Sequence, residues 1–489
     1  MKKSTLLITL AIMSISFGAF AQAKDTTASA DAWTLKQCIE YALANSLTVQ
    51  RSSYNVENYE VNLLQSKMNL LPTLNGQIST GWSWGRSVNP VTNSFVSQQL
   101  NSLSPAATSS LTVFNGLRIQ NLIKQNTKDV QASKEDLQKT KNDLVLNIAS
   151  LFVTVIFNKE QVQNATFQLR STQQQFERTK KQVAAGSLPK ANELNLDAQV
   201  ATNEVNLINR ENALALSFLQ LKQALQLPAS TPLDVTMPVV DVEELELDQS
   251  RQEIFEMAKE TLPEVRSAAL KVQSATYAVR AARGSLYPRL SLNGSINSNY
   301  SSASDRMRFV SDGGPVQSLL TPIGVVGAAG GAIVYGSQQV PSGQYVDGYG
   351  RTDQIKDNVF KQLNFALTIP IFNNFQTRAT YQRSIITRRL AEISQKEINQ
   401  TLRQSVETAY NDAVSASKTY NSSLRQVAAR EEAYRMTKQR FDIGAVPYVE
   451  YQVSENDYFQ SKSDLARAKY DFILKKKVLD FYQGKTLEY

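Results

Sequence analysis

Two long runs, 117–185 and 375–443, contain neither glycine nor proline, the residues that most often interrupt a helix. Each run stops at a Gly-x-x-Pro turn, which begins at Gly186 in the first and at Gly444 in the second. An unbroken helix of this length spans about 100 Å at about 1.5 Å per residue, longer than a single globular core. The chain is therefore predicted to fold as an elongated helical structure.

The two runs belong to an internal duplication. Gly186 recurs as Gly444 and Phe114 as Phe372 at one common offset, and Pro72 recurs as Pro288 at a second, shorter offset. Two rigid registers separated by one length change indicate two copies of one unit. Each unit is predicted to contain a long helix, two strands, a very long helix, a turn and a returning helix.

Shorter runs without glycine or proline predict partner helices. The runs 34–71 and 190–227 are equal in length, and end to end they nearly match one long run. The second half repeats this with 250–286, interrupted by Pro263, and 448–483. Each repeat is thus predicted to form two helical columns of equal height, one continuous and one of two stacked pieces, as in the wall of a cylinder.

The surfaces of the long runs predict packing against other helices. Apolar and small residues recur every three or four positions in the second run, which is typical of a narrow coiled-coil seam. The predicted seam is Leu402, Val406, Ala409, Ala413, Ala416, Tyr420, Leu424 and Val427. In the first run the most apolar stretch, 144–157, has polar residues on its other side, which favours core packing over membrane insertion.

Between the helices the apolar period changes from 3.6 to 2. The alternating apolar positions are Leu74, Ile78 and Trp82 in the first half, and Leu290, Leu292, Ile296, Leu363, Phe365, Leu367, Ile369 and Ile371 in the second. Such strands are typical of outer-membrane barrels, and a soluble hairpin gives the same alternation. Trp82, Trp84 and Tyr300 lie at distal strand ends, where a barrel would meet the lipid interface.

The number of strands predicts an oligomer. Two hairpins supply four strands, whereas the smallest closed membrane barrels use about eight. Open strand edges are not tolerated in hydrocarbon, because no water is there to bond the free backbone groups. One chain cannot close such a barrel, and three chains would supply twelve strands around a wider lumen.

The remaining boundaries follow from the repeats. The predicted divisions are a secretory signal peptide at 1–21, a first repeat at 22–227, an equatorial linker at 228–249, a second repeat at 250–483 and a tail at 484–489. The second strand connection, 288–372, is twice as long as the first, and its segment 302–357 is predicted to be a mobile extracellular loop, or alternatively a cap over the barrel mouth. No cysteine stands at the cleavage point, so no lipid anchor is expected.

Composition argues against a reactive centre. The chain has no histidine and one cysteine, Cys38, which leaves little from which to build a disulfide, a metal site or histidine-based catalysis. The acidic pair Glu243 and Glu244 has no accompanying nucleophile–base pattern. The net charge of +8 is modest and does not favour nucleic-acid binding. We expect a protein that is not an enzyme and needs no cofactor.

Several short segments, spread over about residues 33–483, resemble the TolC-like outer membrane efflux protein family. The matching segments are 33–37 and 42–45 in the first helix, 72–74 and 288–290 at strand starts, 113–116 and 369–373 before the long helices, and 441–444 and 468–470 near the end. Residues 85–90 and 479–484 resemble members from Bacteroides-type bacteria. The order of the segments together with the duplication carries the resemblance.

The resemblance implies a mixed α/β fold of mostly long helices in a homotrimer. A twelve-stranded outer-membrane barrel would continue into a periplasmic coiled-coil tunnel. The implied function is a passive channel-tunnel of a tripartite efflux or type I secretion system, which exports small toxic compounds or proteins. Its implied partners are a periplasmic adaptor and an inner-membrane pump of the RND or ABC class. The alternative is a periplasmic coiled-coil adaptor, a class that lacks strands with lipid-facing alternation.

The resemblance also assigns roles to the two turns. The periplasmic end that docks the adaptor and closes the resting channel would be Gly186, Ser187 and Leu188 with Gly444, Ala445 and Val446. The family often closes this end with acidic residues and an arginine beside the second turn. Val446 stands at the arginine position, Val453 replaces one aspartate and Asn192 replaces another, whereas Glu450 keeps an acid.

A weaker polar latch is therefore our hypothesis for this end. Asp442 and Glu450, with Arg440, would supply it, beside Asn192 of the first repeat. The alternative is that these are ordinary solvated charges at helix ends.

Overall fold

The structure is a computed structural model, which describes residues 32–88, 93–97, 99–236, 249–304, 307–326 and 331–485. The predicted signal peptide, residues 237–248 of the predicted linker and residues 486–489 of the tail lie outside the described residues.

The elements follow the predicted order twice. They are α1 (Leu35–Asn45), α2 (Leu47–Met68), β1 (Thr73–Ser83), β2 (Arg86–Val88), β3 (Phe95–Ser97), β4 (Leu100–Phe114), α3 (Arg118–Ala184), α4 (Lys190–Ala224), α5 (Arg251–Thr261), α6 (Pro263–Gly284), β5 (Arg289–Asn297), β6 (Tyr300–Ser301), β7 (Met307–Ser311), β8 (Gln317–Val326), β9 (Ala332–Val340), β10 (Gly343–Asp347), α7 (Arg351–Asp357), β11 (Phe360–Thr368), α8 (Gln376–Asp442) and α9 (Tyr448–Tyr482).

The two long helices are equal in length. α3 and α8 each contain 67 residues, about 100 Å of helix, and α4 and α9 each contain 35. Each long helix begins after two residues in the left-handed region, Gly116 and Leu117 in one repeat and Asn374 and Phe375 in the other. At Gly116 a side chain has no room, because an added Cβ would lie 2.3 Å from the carbonyl oxygen of Gly284.

The first helix of each repeat is broken, contrary to the prediction of one continuous helix over 34–71. α1 ends at Asn45, and Ser46, whose backbone is extended, caps α2: its hydroxyl oxygen accepts from the Val49 N–H. The second repeat breaks at the equivalent position, Leu262, where Pro263 begins α6. The same break thus has a different cause in each repeat: the cap at Ser46 in the first and a proline in the second.

Two apolar clusters lie halfway along the long helices. In the first, α1 and the end of α4 meet the middle of α3, and Ile148 and Val155 are fully buried. In the second, α5 and the end of α9 meet the middle of α8, where the equivalent residues Val406 and Ala413 are also fully buried. The stacked columns predicted from run lengths therefore meet at the level of these clusters.

The apolar stretch 144–157 of α3 contributes to the first cluster. Among the described helices, α3 alone is long and apolar enough by composition to cross a membrane. Its residues Ile148, Phe152 and Ile156 are nevertheless buried against α1, α4 and α9. Core packing, as predicted, accounts for this stretch.

The predicted seam on α8 holds only in part. Leu402, Val406, Ala409, Ala413 and Ala416 are buried, whereas Leu424 is 41% exposed. Spacings of four and three residues alternate along a coiled-coil seam, so the position after Tyr420 is Ser423, which is buried. The prediction of Leu424 was wrong by one position.

The four long strands form one antiparallel sheet in the order β1-β4-β5-β11. Its register brings the alternating residues of both repeats to one face: Leu74 lies opposite Ser109, Ala107 opposite Ile296, and Leu292 opposite Phe365. The other face carries polar residues such as Gln77, Ser110, Asn293 and Asn364. β11 ends at Thr368, so Ile369 and Ile371, predicted as strand residues, lie beyond it.

The long connection of the second hairpin is built of regular elements in its described residues. β6 extends the pairing of β4, and α7 follows the other strands of the connection. β7 pairs with β10, and β8 pairs with β9 beyond them. The segment 302–357 is therefore a nested set of hairpins at the sheet end remote from the long helices.

Candidate functional site

The two Gly-x-x-Pro turns lie at the same end of the molecule and line one cleft. Gly186 and Gly444 have φ of 75° and 76°, in the left-handed region that glycine adopts freely. The N–H of Ser187 donates to the Gln182 carbonyl, and that of Ala445 donates to the Arg440 carbonyl, so both helices end in the same capped turn. Pro189 and Pro447 then start the returning helices.

The cleft between the turns has a volume of about 210 Å³. Residues of the first repeat that line it include Arg178, Leu188 and Asn192, and those of the second include Asp442, Gly444 and Val446. Ser187 and Ala445 lie outside this lining and are exposed at the turns. Five of the ten predicted turn and gate residues thus line the cleft: Leu188, Asn192, Asp442, Gly444 and Val446. Gly186, Arg440 and Glu450 also lie outside its lining.

The charges beside the turns form two ion pairs. The helices that meet at each turn form two helical hairpins, the first of α3 and α4 and the second of α8 and α9. Arg440 Nη1 lies 3.4 Å from Glu450 Oε1, within the second helical hairpin. Asp442 bonds across to the other repeat, where Arg178 Nη1 donates to its Oδ1 at 2.7 Å. The three charged residues of the predicted latch are thus paired, Asp442 with a partner that was not predicted. That partner, Arg178, has Met436 as its equivalent in the second repeat.

Next to the turns, aromatic residues enclose a carboxyl group. Glu455 is 3% exposed, and its Oε1 accepts from the hydroxyls of Ser171 at 2.7 Å, Tyr451 at 3.0 Å and Tyr434 at 3.3 Å. Burial, followed by the charge of Glu455, raises the pKa of Tyr451, so its hydroxyl stays protonated as a donor. Ser171 belongs to α3 and the others to the second hairpin, so this group joins the repeats.

Further polar contacts near this group join the two helical hairpins. Gln168 Nε2 donates to Asn456 Oδ1 at 3.3 Å, and Gln161 Nε2 donates to the Ser463 carbonyl at 3.2 Å. Gln452 and Gln199 bond side chain to side chain. Near the turns the hairpins are therefore held together by these hydrogen bonds and by a small apolar cluster, in which Leu196 of the first repeat packs with Tyr448 and Tyr451 of the second. At mid-height the first apolar cluster joins them.

The aromatic residues predicted for the lipid interface lie at the remote end of the sheet. Trp82 and Trp84 are 57% and 75% exposed. Tyr300 is half-buried, opposite Leu103, with the Arg351 guanidinium 5.1 Å from its ring centre. Their contact with lipid stays a prediction.

Within the described residues, no group of three or more acidic, cysteine or histidine side chains could hold a metal ion. The Cys38 thiol is fully buried in the first apolar cluster, and burial raises its pKa to about 12. A thiol in that state is unreactive. The cleft at the turns has walls of mixed polar and apolar character.

Comparison with known proteins gives matches over most of the chain. The sequence profile described as outer membrane efflux protein matches residues 38–226 and 254–484. No curated protein sequence matches significantly. Among solved structures, the fold is similar to that of CusC, described in connection with transmembrane channel formation, with 17% identity, a TM-score of 0.73 and coverage of 94% of this chain and 93% of that one.

Two further structures have the same fold. The Campylobacter jejuni CmeC outer membrane channel is 15% identical, with a TM-score of 0.71 and coverage of 98% of this chain and 94% of that one. The Vibrio cholerae outer membrane protein VceC is 14% identical, with a TM-score of 0.69 and coverage of 93% and 97%.

Proposed function

Because this chain belongs to the outer membrane efflux protein family, and so serves as an outer-membrane channel-tunnel for efflux, we propose that it acts as a homotrimeric passive duct. A periplasmic adaptor would dock at the turns of Gly186 and Gly444, and an inner-membrane pump of the RND or ABC class would drive export. Small toxic compounds are the proposed cargo, with proteins as the alternative cargo of a type I secretion system.

The observation that carries the trimer is the state of the four-stranded sheet. Its apolar face is exposed at Leu74, Ile78, Leu363 and Phe365, and the outer edges of β1 and β11 have no partner among the described residues. A bilayer would cover the face but cannot satisfy the edges. Pairing β11 of one protomer with β1 of the next, three times, closes the edges around a lumen lined by the polar face.

The duct itself is proposed to carry out no chemistry. The buried Glu455 carboxylate is enclosed by the hydroxyl groups that hydrogen-bond to it, which is the arrangement of a packed interface. Selectivity would then reside in the pump and adaptor, and the channel would supply a water-filled path. Conductance in planar bilayers measures this water-filled path directly.

We place the resting gate at the ion pairs beside the turns. Replacing both Asp442 and Glu450 by alanine removes the partners of Arg178 and Arg440. An exposed ion pair contributes about 0.2–1 kcal/mol, and the double variant removes two pairs in each of three protomers, so the open population should rise by about tenfold or more. Conductance of the closed channel should increase accordingly. Asp143→Ala, which removes the exposed partner of Lys139 on α3, is the control. Unchanged conductance in the double variant would refute the latch.

A further inference from the structure

The long connection of the second repeat ends in an uncharged apolar hairpin. The segment 313–346 contains no Asp, Glu, Lys or Arg, although 20% of the whole chain is charged. β8 and β9 lie within this segment and pair with each other; we call them the apolar hairpin. At the average of the whole chain, a segment of that length would contain about seven charged residues. The lack of charge indicates that this segment is not fully exposed to water.

Both faces of the apolar hairpin carry exposed large side chains. The register places Leu319, Ile323, Val326 and Val334 on one face, and Leu320, Val325, Ile333 and Tyr335 on the other. All eight are exposed. A hairpin that packed on its own protein would alternate apolar and polar residues, because one face would stay in water. This hairpin needs apolar cover on two sides.

The apolar hairpin is held at a defined place. Below it, β7 and β10 form a stem in which the Phe309 and Tyr345 rings touch edge to face, and Arg308 pairs with Asp357 at 2.9 Å. At the junction, Asp312 accepts from the Ser342 hydroxyl and from the Gly314 N–H, both at 2.9 Å. The stem rises from the sheet end remote from the long helices, which is the extracellular end in the proposed function.

Backbone hydrogen bonding decides between lipid and protein as the cover. The apolar hairpin has two strands, so the outer edges of β8 and β9 both present free N–H and C=O groups within the described residues. Hydrocarbon would cover its side chains but leave those groups unpaired, at a cost of several kcal/mol for each group. Neighbouring β-hairpins can pair with these edges, and several of them closed around one axis also cover the face that turns toward that axis.

We propose that the three apolar hairpins of one trimer associate with one another and cover the outer mouth of the channel. Contact among three identical segments places them around the three-fold axis. The lack of charge fits this arrangement, because any charge would meet its own copies at close range. Within the described residues each chain carries one such hairpin, because the connection of the first repeat is half as long and its strands β2 and β3 contain three residues each. The inference rests on the trimer of the proposed function and adds a second constriction at its other end.

Cysteine cross-linking in intact cells tests the contact. In Leu320→Cys, oxidation should link two protomers of each trimer and leave the third unlinked. Cys38 is fully buried and does not interfere. Trp84→Cys, an equally exposed position that the closed barrel would turn outward, should remain uncross-linked. Native mass of the same preparations reports the trimer independently. A mass other than that of a trimer would count against the proposed function, whereas a trimer without the Leu320 cross-link would overturn the hairpin contact alone.

Charge repulsion gives a second readout. Leu320→Lys combined with Ile333→Lys puts six positive charges around the axis, and should remove the contact and raise the conductance of the trimer severalfold. Ser318→Lys with Gln339→Lys, an opposed pair nearer the stem, should have a smaller effect. Photolabelling of the apolar hairpin by a lipid-soluble reagent, or its cross-linking to a different surface protein, would contradict the proposal.

Discussion

Replacing Phe365 by arginine should prevent assembly in the outer membrane, whereas the same replacement of its neighbour Asn364 should be tolerated. Phe365 lies in the middle of β11 on the apolar face, and it is 68% exposed in the single chain. An arginine on the lipid face of a barrel costs about 2–4 kcal/mol near the bilayer centre, and the trimer carries three of them. Asn364 points to the polar face, where an added charge would meet water.

The measurement is the amount of protein in the outer-membrane fraction, together with the trimer recovered after detergent extraction. Phe365→Leu keeps the face apolar and serves as a second control. Equal assembly of Phe365→Arg and Asn364→Arg would contradict the assignment of the two faces. Greater damage from Asn364→Arg would reverse it.

Arginine at both Ser187 and Ala445 should abolish export while leaving channel assembly intact. Both residues are exposed at the turns, and neither makes an apolar contact that the substitution would disrupt. In three protomers six bulky charges would then stand where the adaptor is proposed to dock. We expect adaptor affinity to fall more than about tenfold, a loss of at least about 1.4 kcal/mol.

Adaptor pull-down and the sensitivity of cells to exported compounds measure this effect, and the trimer in the outer membrane confirms folding. Ser422→Arg, an exposed position on α8 away from the turns, is the matched control. Full adaptor binding by the double variant would exclude the turns as the docking site.

The long helices and turns were predictable because their signals are local. Glycine and proline are absent throughout 117–185 and 375–443 and then appear together from Gly186 and Gly444, where the helices end. The break at Ser46 was not predicted, because serine, unlike proline, can also be accommodated inside a helix. The duplication nevertheless contained the signal: at the equivalent position of the second repeat, Leu262 is followed by Pro263, and the same break occurs there.

The contacts at the turns depend on how the two helical hairpins are set against each other. Arg178 and Asp442 are separated by 264 residues, and Ser171 and Glu455 by 284. No periodicity along one helix fixes that mutual height, so the sequence could identify the turns but not the partners of Asp442. The hydrogen bonds of Tyr434 and Tyr451 to Glu455 could not be predicted either, since aromatic residues on a helix are most often part of a core.

Native mass and negative-stain imaging of the detergent-extracted mature protein would decide whether the chain forms a trimeric membrane channel. We expect a trimer in the form of a tapered cylinder about 140 Å long, from about 100 Å of helix and about 40 Å of barrel with headgroups. A soluble elongated monomer, or a ring without a membrane-embedded end, would contradict it.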